Sequence, residues 1–270
     1  MAISFEIRCA LATAADAAAI QQVEHASLGD SSYSPARILQ LLRNPAHYSY
    51  LAWAGDTPVG FCWCLETPHK DSKRLEIDLL GVLPTFRRLG IATALIQMAR
   101  SEALQRGTMA FRGIVAQDNL PSQYAFTCAG LRSAPEPVEM IVYRLENRKP
   151  EFPLPETLRW RVVPEPGGRA ELDRAPEAFH AELVSCANLV ASADCLFVET
   201  LVYRGIWIEQ LRGVEEDTLL LVRGLVAWCA QQSLDELGIL CSRDALTQPG
   251  QYEALWRAGL ESWGHFYTFS

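Results

Sequence analysis

The residues of this chain that could do chemistry are concentrated in positions 75–93, which read LEIDLLGVLPTFRRLGIAT. A strand pattern ends at a proline, and a short basic loop containing Arg87 and Arg88 runs through Gly90 into a helix pattern. The first turn of a helix presents unpaired N–H groups and a partial positive charge, and both stabilise an anion. Because Gly90 and Ala92 are small, a pyrophosphate could approach the backbone closely. The stretch therefore predicts a phosphate-binding loop that is neither a Walker A nor a GxGxxG motif.

Composition narrows the classes of partner and cofactor. The chain has 270 residues, of which 49% are hydrophobic and 21% charged, so its core is large enough to need neither disulfides nor a metal. The net charge of −8 argues against a nucleic-acid or anionic-membrane partner. There is no run of 18 apolar residues and no basic start typical of a signal peptide. We expect a cytoplasmic protein whose eight cysteines are reduced, without a metal site.

Hydrophobic periodicity predicts the elements that position the loop. Over the first half the predicted order is β-α-α-β-β-β-α-β-α-β, a mixed sheet covered by helices. The strands are predicted at 3–11, 48–54, 59–66, 75–82, 111–116 and 140–145, and the helices at 13–27, 35–43, 90–106 and 119–129.

A proline-rich segment near residue 150 predicts a domain boundary, because three prolines alternate there with polar and charged residues. We expect a first domain at 1–146, a linker at 147–157 and a second domain at 158–270.

Two motifs carry a resemblance to a known family. The spacing Arg87-x-x-Gly90-x-Ala92, after a strand and before an amphipathic helix, resembles the acyl-CoA loop of the GNAT superfamily of N-acetyltransferases. The segment 119–131, NLPSQYAFTCAGL, is similar to the fourth-helix motif of that family. The resemblance covers about residues 3–145. It implies the acyl-CoA N-acyltransferase (GNAT) fold, an α/β (α+β) fold in which helices cover a mixed sheet.

The resemblance also implies where acetyl-CoA would bind. Backbone groups of Leu80, Gly81 and Val82 would bind the pantetheine arm where two strands splay apart. Asn119 either contacts the cofactor or only caps its helix. The pyrophosphate would lie on the loop and helix start formed by Arg87, Arg88, Leu89, Gly90, Ile91, Ala92 and Thr93.

The catalytic groups are predicted less completely. Glu76 falls where several GNAT enzymes carry a glutamate base, and strand alternation puts it on the same face as Asp78, opposite Leu79. Partial burial would raise the pKa of such a carboxylate, which suits a base; the alternative is a polar, solvent-facing edge. Many family members place a tyrosine general acid where this chain has Phe126, so the acid is unassigned. Cys128, on the same helix, is expected to be a buried small residue rather than a nucleophile.

The second half is predicted to be a diverged second copy of the same fold, because a shift of 129 residues places Gly259 over Gly130. The same shift aligns Glu216, Asp217 and Leu219 with the loop residues Arg87, Arg88 and Gly90. Two carboxylates would repel a pyrophosphate, so this copy is not expected to bind coenzyme A.

The sequence thus predicts a tandem GNAT protein with one working site. It would transfer acetyl from acetyl-CoA to an amine, of a small molecule or a peptide, by direct attack. The alternative is a non-catalytic acyl-CoA-binding or regulatory module, for which Phe126 is the main argument.

Overall fold

The computed structural model describes residues 6–29, 33–70, 72–146, 150, 158–164 and 178–270. The chain divides into two compact units. The first contains Met1–Pro137, Thr200–Val202 and Tyr267–Ser270, and the second contains Val138–Glu199 and Tyr203–Phe266.

In the described part of the first unit, the order of strands and helices is the predicted one as far as the helix of the 119–131 motif. Its strands lie in the order β1-β2-β3-β4-β5, antiparallel throughout except that β4 and β5 are parallel. The elements are β1 (Ile7–Leu11), α1 (Ala17–Leu28), α2 (Pro35–Leu42), β2 (His47–Ala54), β3 (Thr57–His69), β4 (Ser72–Val82), α3 (Ile91–Gln105), β5 (Ala110–Ala116) and α4 (Leu120–Cys128).

Local capping fixes where the first two helices begin. The Asp16 carboxylate accepts a hydrogen bond from the Thr13 N–H at 2.8 Å, as the predicted capping box requires, and a single 3-10 turn then leads into α1. The Ser34 hydroxyl accepts from the Arg37 N–H at 3.4 Å, with Pro35 at the first helical position of α2. Both helices are therefore placed by signals that are visible in the sequence.

The first unit has an apolar core on each face of its sheet. On one face α3 and α4 pack through residues such as Leu95 and Phe126. On the other, α1 and α2 pack through Ile20 and Ile38 against Trp63 of β3. The sheet thus separates two apolar cores, and β4 contributes side chains to both.

The second unit repeats this strand order. Its sheet runs β12-β6-β11-β10-β9-β8-β7, with β10 and β11 parallel. The elements are β6 (Val138–Arg144), β7 (Leu158–Pro164), β8 (Ala178–Ser185), β9 (Asn188–Glu199), β10 (Arg204–Gly213), α5 (Glu215–Gln231), β11 (Glu236–Leu240), α6 (Gln251–Arg257) and β12 (Glu261–Phe269), whose last residues belong to the first unit.

The compact units do not follow the domain limits expected from the sequence. The strand predicted at 140–145 exists as β6, but it lies in the second unit, between β11 and β12. The first unit instead includes Tyr267–Ser270, which form backbone hydrogen bonds with Arg132 and Ala134. The predicted linker at 147–157 lies outside the described residues except for Pro150.

The described residues include neither a helix suited to a membrane nor a cluster suited to a metal ion. None of their helices is long and apolar enough to cross a bilayer. They also contain no group of three or more His, Cys, Asp or Glu side chains arranged to hold a metal ion.

Candidate active site

The parallel strands β4 and β5 separate partway along their length. Their pairing runs from Arg74 opposite Ala110 to Ile77 opposite Gly113. Past Ile77, β4 continues in register with β3 as far as Val82 opposite Gly60, beyond the last residue pair that β4 forms with β5. Leu80, Gly81 and Val82, which were expected to bind the pantetheine arm, lie on the part of β4 beyond its pairing with β5.

A β-bulge interrupts β4 at the start of this open edge. Cys64 of β3 is opposite Ile77, whereas Trp63 is opposite Leu79, so Asp78 is the extra residue. The bulge reverses the alternation of the strand: Ile77 is in the core under α3, and Leu79 packs in the core under α1 and α2. The expectation that Leu79 shares a face with Ile77 is therefore wrong, because regular alternation was assumed across an irregular position.

The loop between β4 and α3 has the backbone form of an anion site. After a 3-10 turn, Arg88 has φ +64° and Gly90 has φ +77°, and α3 begins at Ile91. Left-handed residues directly before a helix turn consecutive N–H groups toward one point, where an anion can be held. A Cβ added at Gly90 would meet no atom within 4 Å, and Arg88, Leu89 and Gly90 are exposed. Together with Ala92 and Thr93 in the first helical turn, these residues fit a diphosphate.

Arg87 has a different role from the rim cation expected from the sequence. Its Nε donates to the Val82 carbonyl oxygen at 3.1 Å, and its Nη2 donates to the Ser27 carbonyl oxygen at 3.2 Å. A Cβ at Gly81 would lie 2.2 Å from the Ser27 hydroxyl, so α1 packs directly on the end of β4. Arg87 and Gly81 therefore hold the end of α1 beside the splay.

Glu76 is buried in an ion-pair network. Its Oε1 accepts from Arg74 Nε at 2.6 Å and from the Thr67 hydroxyl at 3.0 Å, and its Oε2 accepts from Arg112 Nε at 2.8 Å. The side chains of Glu76 and Arg74 are 11% and 7% exposed. A carboxylate whose two oxygens are held by two guanidinium groups is poorly placed to accept a proton from a substrate. This geometry argues against the expected role of Glu76 as the base.

Asp78 has the properties that a base requires. Its Oδ2 is buried and has no hydrogen-bond partner in the described chain. Burial and, secondarily, the negative charge of Glu76 raise the pKa of Asp78 to about 7. Its place in the bulge puts it at the point where β4 leaves β5. Asp78 can therefore exchange a proton near neutral pH.

The fourth helix lacks a proton donor at the position used by many family members. Phe126 is buried and packs on Phe269 at a centroid distance of 5.2 Å. Tyr124 is 73% exposed. Cys128 is exposed, so the expectation of a buried residue is wrong: it lies on the solvent side of α4. Asn119 accepts from the Ser122 N–H at 3.2 Å, which is the capping role.

Two buried polar residues that the sequence analysis did not single out lie on α1 and just before α2. Glu24 of α1 is only 5% exposed, and its Oε2 has no hydrogen-bond partner in the described chain. The Tyr33 hydroxyl is likewise buried, and burial, the charge of Glu24 and a hydrogen bond to the Glu24 side chain raise its pKa. The signal for Glu24 was available, because it follows Ile20 by four residues on the buried stripe of α1.

The corresponding region of the second unit is closed. Val214 alone connects β10 with α5, whereas residues 83–90 connect β4 with α3. Glu216, at the start of α5, is paired with Arg257 at 2.6 Å, and Leu219 is buried. Beyond its parallel pairing with β11, the backbone of β10 forms hydrogen bonds with the segment that follows β11. For example, the Leu211 N–H donates to the Ala245 carbonyl oxygen at 2.8 Å.

Further bonds complete this closure. Thr247 Oγ1 donates to the Leu211 carbonyl at 2.8 Å, and Gln251 Nε2 donates to the Gly213 carbonyl at 3.1 Å. The edge that is open in β4 is thus occupied in β10 by the chain itself.

Comparison with known proteins agrees with this geometry. Residues 16–130 match the family model described as "Acetyltransferase (GNAT) family". A search among curated protein sequences found no significant match.

Three solved structures share the fold along nearly the whole chain. A GCN5-related N-acetyltransferase from Sphaerobacter thermophilus matches with a TM-score of 0.61 and 18% identity, covering 97% of this chain and 94% of that one. A tandem GNAT protein from the clavulanic acid biosynthesis pathway matches with a TM-score of 0.58 and 16% identity, covering 98% of each chain. The third is the glucosamine N-acetyltransferase region of a fungal multi-domain enzyme, at TM-score 0.64 and 14% identity, covering 99% of this chain and 38% of that one.

At these identities the structural likeness concerns the fold, whereas the family model concerns the sequence of the first half. The resemblance inferred from the two motifs is confirmed by both. Residues 16–130 therefore match the acetyltransferase (GNAT) family model, and the chain shares the fold of these solved structures.

Proposed function

We propose that this chain transfers the acetyl group of acetyl-CoA to an amine, in one site of the first unit. The observation that carries the proposal is the splay of β4 from β5 directly before an exposed left-handed loop and the start of α3. This arrangement offers a backbone edge to an extended pantetheine arm and N–H groups to a diphosphate. The residues proposed to bind the cofactor are Leu80, Gly81 and Val82 for the arm, and Arg88 to Thr93 for the phosphates.

In the proposed reaction the neutral amine attacks the thioester carbonyl carbon directly. The nitrogen forms a bond to that carbon, the carbon–sulfur bond breaks, and coenzyme A leaves as a thiolate. Asp78 accepts the proton released from nitrogen, in place of the Glu76 expected from the sequence. Because Phe126 has no proton to give, the thiolate takes its proton from water.

We also propose that the second unit is a diverged copy without a coenzyme A site. Its sheet repeats the order and the single parallel pairing of β1–β5 in β7–β11. It also repeats the bulge, which falls between Ile208 and Gln210. The closed edge of β10 and its one-residue connection to α5 leave no place for pantetheine or phosphate.

The test is release of thiol from acetyl-CoA in the presence of small amines and peptide N-termini. Amine-dependent release by the wild-type protein, lost in Asp78→Asn, is expected. The competing function is a non-catalytic acyl-CoA-binding module, which the buried Phe126 favours. Tight binding of acetyl-CoA without release for any acceptor would favour that module instead.

A further inference from the structure

A short segment from the second half of the sequence lies in the core of the first unit. Residues 200–203 connect β9 with β10, which belong to the second unit, but Thr200–Val202 belong to the first. The connection between two strands of a hairpin is normally exposed to solvent, and Val202 is indeed 57% exposed. Leu201 is only 2% exposed, because its side chain packs in the apolar core under α1 and α2. Leu201 therefore completes a core that the first half of the sequence begins.

Two hydrogen bonds hold this segment in place. The Thr200 hydroxyl accepts from the Val202 N–H at 3.1 Å, a local turn that has Leu201 between the two residues. Arg37 of α2 donates through Nη2 to the Thr200 carbonyl oxygen at 2.9 Å. The segment is thus joined to α2 by a polar contact, in addition to the apolar packing of Leu201 on that face of the sheet.

The same core borders the part of β4 that is proposed to take part in the reaction. Leu79, which directly follows Asp78, packs against this core. Phe61 belongs to it as well, and a Cβ added at Gly81 would lie 2.6 Å from the Phe61 ring. The core that Leu201 completes therefore supports β4 on both sides of its proposed catalytic segment.

The cofactor and the amine are expected on different sides of β4. The loop proposed for the diphosphate leads into α3, which packs in the core on the opposite face of the sheet. The end of α1 lies beside Gly81, where the Ser27 hydroxyl is next to the strand. We therefore expect an amine to reach Asp78 from the side of α1 and α2, the two helices that share their core with Leu201.

We infer that Leu201 is a positioning residue of the acetyl-transfer site, which holds α2 and residues 78–81 in the arrangement that presents the amine to Asp78. This inference rests on the proposed acetyl transfer. Leu201 acts through α2 and Leu79 rather than on the reacting atoms. In this way the second half of the sequence, whose own β10 edge is occupied, contributes a residue to the proposed site of the first unit.

The experiment compares two buried leucines in the full-length protein. Leu201→Ala shortens a side chain in the first-unit core, and Leu183→Ala makes the same change in the core of the second unit. Thiol release is measured with the amine that the wild-type protein uses best, at a temperature at which both variants remain folded. We expect Leu201→Ala to lower kcat/KM for that amine by about 10-fold or more, since a displacement of about 1 Å can cost about 100-fold in rate.

A loss confined to the amine step separates positioning from general destabilisation. In calorimetry Leu201→Ala should bind coenzyme A as tightly as the wild-type protein, because the loop and α3 lie on the other face of the sheet. Leu183→Ala should also melt at a lower temperature, because it leaves a cavity, but it should keep the wild-type kcat/KM. Leu201→Met nearly conserves the volume of the side chain and should keep the wild-type kcat/KM too.

Thr200→Val provides a second route if Leu201→Ala does not fold. It conserves the shape of the side chain but removes the oxygen that accepts from the Val202 N–H, so it should lower kcat/KM by a smaller factor. A wild-type kcat/KM in whichever of these two variants fold would overturn the inference but leave acetyl transfer standing, as would an equal loss in Leu183→Ala. If acetyl-CoA binds to the wild-type protein but no amine gives release, the transfer function is overturned and the inference with it.

Discussion

Glu76 and Asp78 are two residues apart on one strand but have opposite surroundings. Glu76 accepts hydrogen bonds from two arginines and a threonine, whereas Asp78 has a buried oxygen without a partner in the described chain. Burial and, secondarily, the negative charge of Glu76 raise the pKa of Asp78. Two carboxylates that are close in sequence therefore have different surroundings, one in an ion-pair network and one with an oxygen that lacks a partner.

Replacement of the titratable carboxylate should change the pH dependence of both rate and stability. In the wild-type protein kcat/KM should rise with pH through about 7 as Asp78 loses its proton, and Asp78→Asn should lower the rate and remove this step. The ionisation of the amine affects both proteins equally, so the difference between the two profiles isolates Asp78. A wild-type step that persists in Asp78→Asn would assign the base elsewhere.

Ionisation of Asp78 should increase the rate as pH rises, but it should lower the stability of the folded protein. Between pH 4 and 7 the unfolded chain has lost the Asp78 proton while the folded protein retains it, so this residue lowers the free energy of unfolding as pH rises. A difference of about three pH units between the two pKa values corresponds to about 4 kcal/mol. Denaturant unfolding should show Asp78→Asn gaining stability relative to wild type from pH 4 to 7. If the difference in unfolding free energy between Asp78→Asn and wild type stayed constant from pH 4 to 7, the raised pKa of Asp78 would be contradicted.

Glu76→Gln should act mainly on stability. It leaves Arg74 and Arg112 buried beside a neutral amide, which is expected to cost about 3–5 kcal/mol. It also removes the negative charge that raises the Asp78 pKa, so the rising limb of the rate profile should move to lower pH without disappearing. Loss of that limb in protein that remains folded would restore Glu76 as the base.

The sequence analysis chose Glu76 as the base, whereas the surroundings of the two carboxylates favour Asp78. The partners of Glu76 come from Thr67, Arg74 and Arg112, and the last is 36 positions away. The bulge that singles out Asp78 is a mismatch in length between β3 and β4, and local alternation cannot show it. Side-chain roles of this kind depend on tertiary neighbours.

At the scale of elements, motif spacing predicted the strand end, loop and helix start between β4 and α3, and the structure has them in that order. Phosphate binding by this loop, whose Arg88 and Gly90 are left-handed, stays a prediction. Residue types and short spacing suffice here because strand end, loop and helix start are continuous in the chain. The splay between β4 and β5, by contrast, needed the family resemblance, since the two strands are separated by α3.

A charge at the helix start should weaken cofactor binding more than a side chain of the same size does. Asparagine tolerates the left-handed conformation of Gly90 better than most residues, and aspartate has the same shape with a negative charge. We expect Gly90→Asp to weaken coenzyme A binding at least 10-fold relative to Gly90→Asn in calorimetry, because it opposes the pyrophosphate. Equal affinities for the two variants would remove the phosphate-loop assignment.

For the whole molecule, we expect only one coenzyme A site although the strand order is repeated in the two units. The edge of β10 is occupied by the Ala245 carbonyl and by the side chains of Thr247 and Gln251. Calorimetry should therefore give one coenzyme A per chain, and Gly90→Asp should reduce the whole signal rather than half of it. A second binding event that survives in Gly90→Asp would show that the second unit can open.

The sequence shift predicted a second copy of the fold, but its argument that this copy does not bind coenzyme A was incomplete. It aligned the acidic start of α5 with the basic loop, and Glu216 does lie at that helix start, paired with Arg257. The larger difference is that nearly the entire loop is missing, which an ungapped shift cannot reveal. The units also exchange strand segments, because β6 belongs to the second unit and residues 267–270 belong to the first. The sequence could not predict this exchange, because a closing strand has the same pattern whichever sheet it joins.

That exchange has a consequence for how the protein is made. Phe269 packs on Phe126, and Ser270 exchanges two backbone hydrogen bonds with Arg132, all within the first unit. The first unit therefore cannot complete its core until the ribosome has translated residues 267–270. A gene cut at codon 146 would yield a half-protein that lacks these residues and contains β6 without the strands with which it pairs.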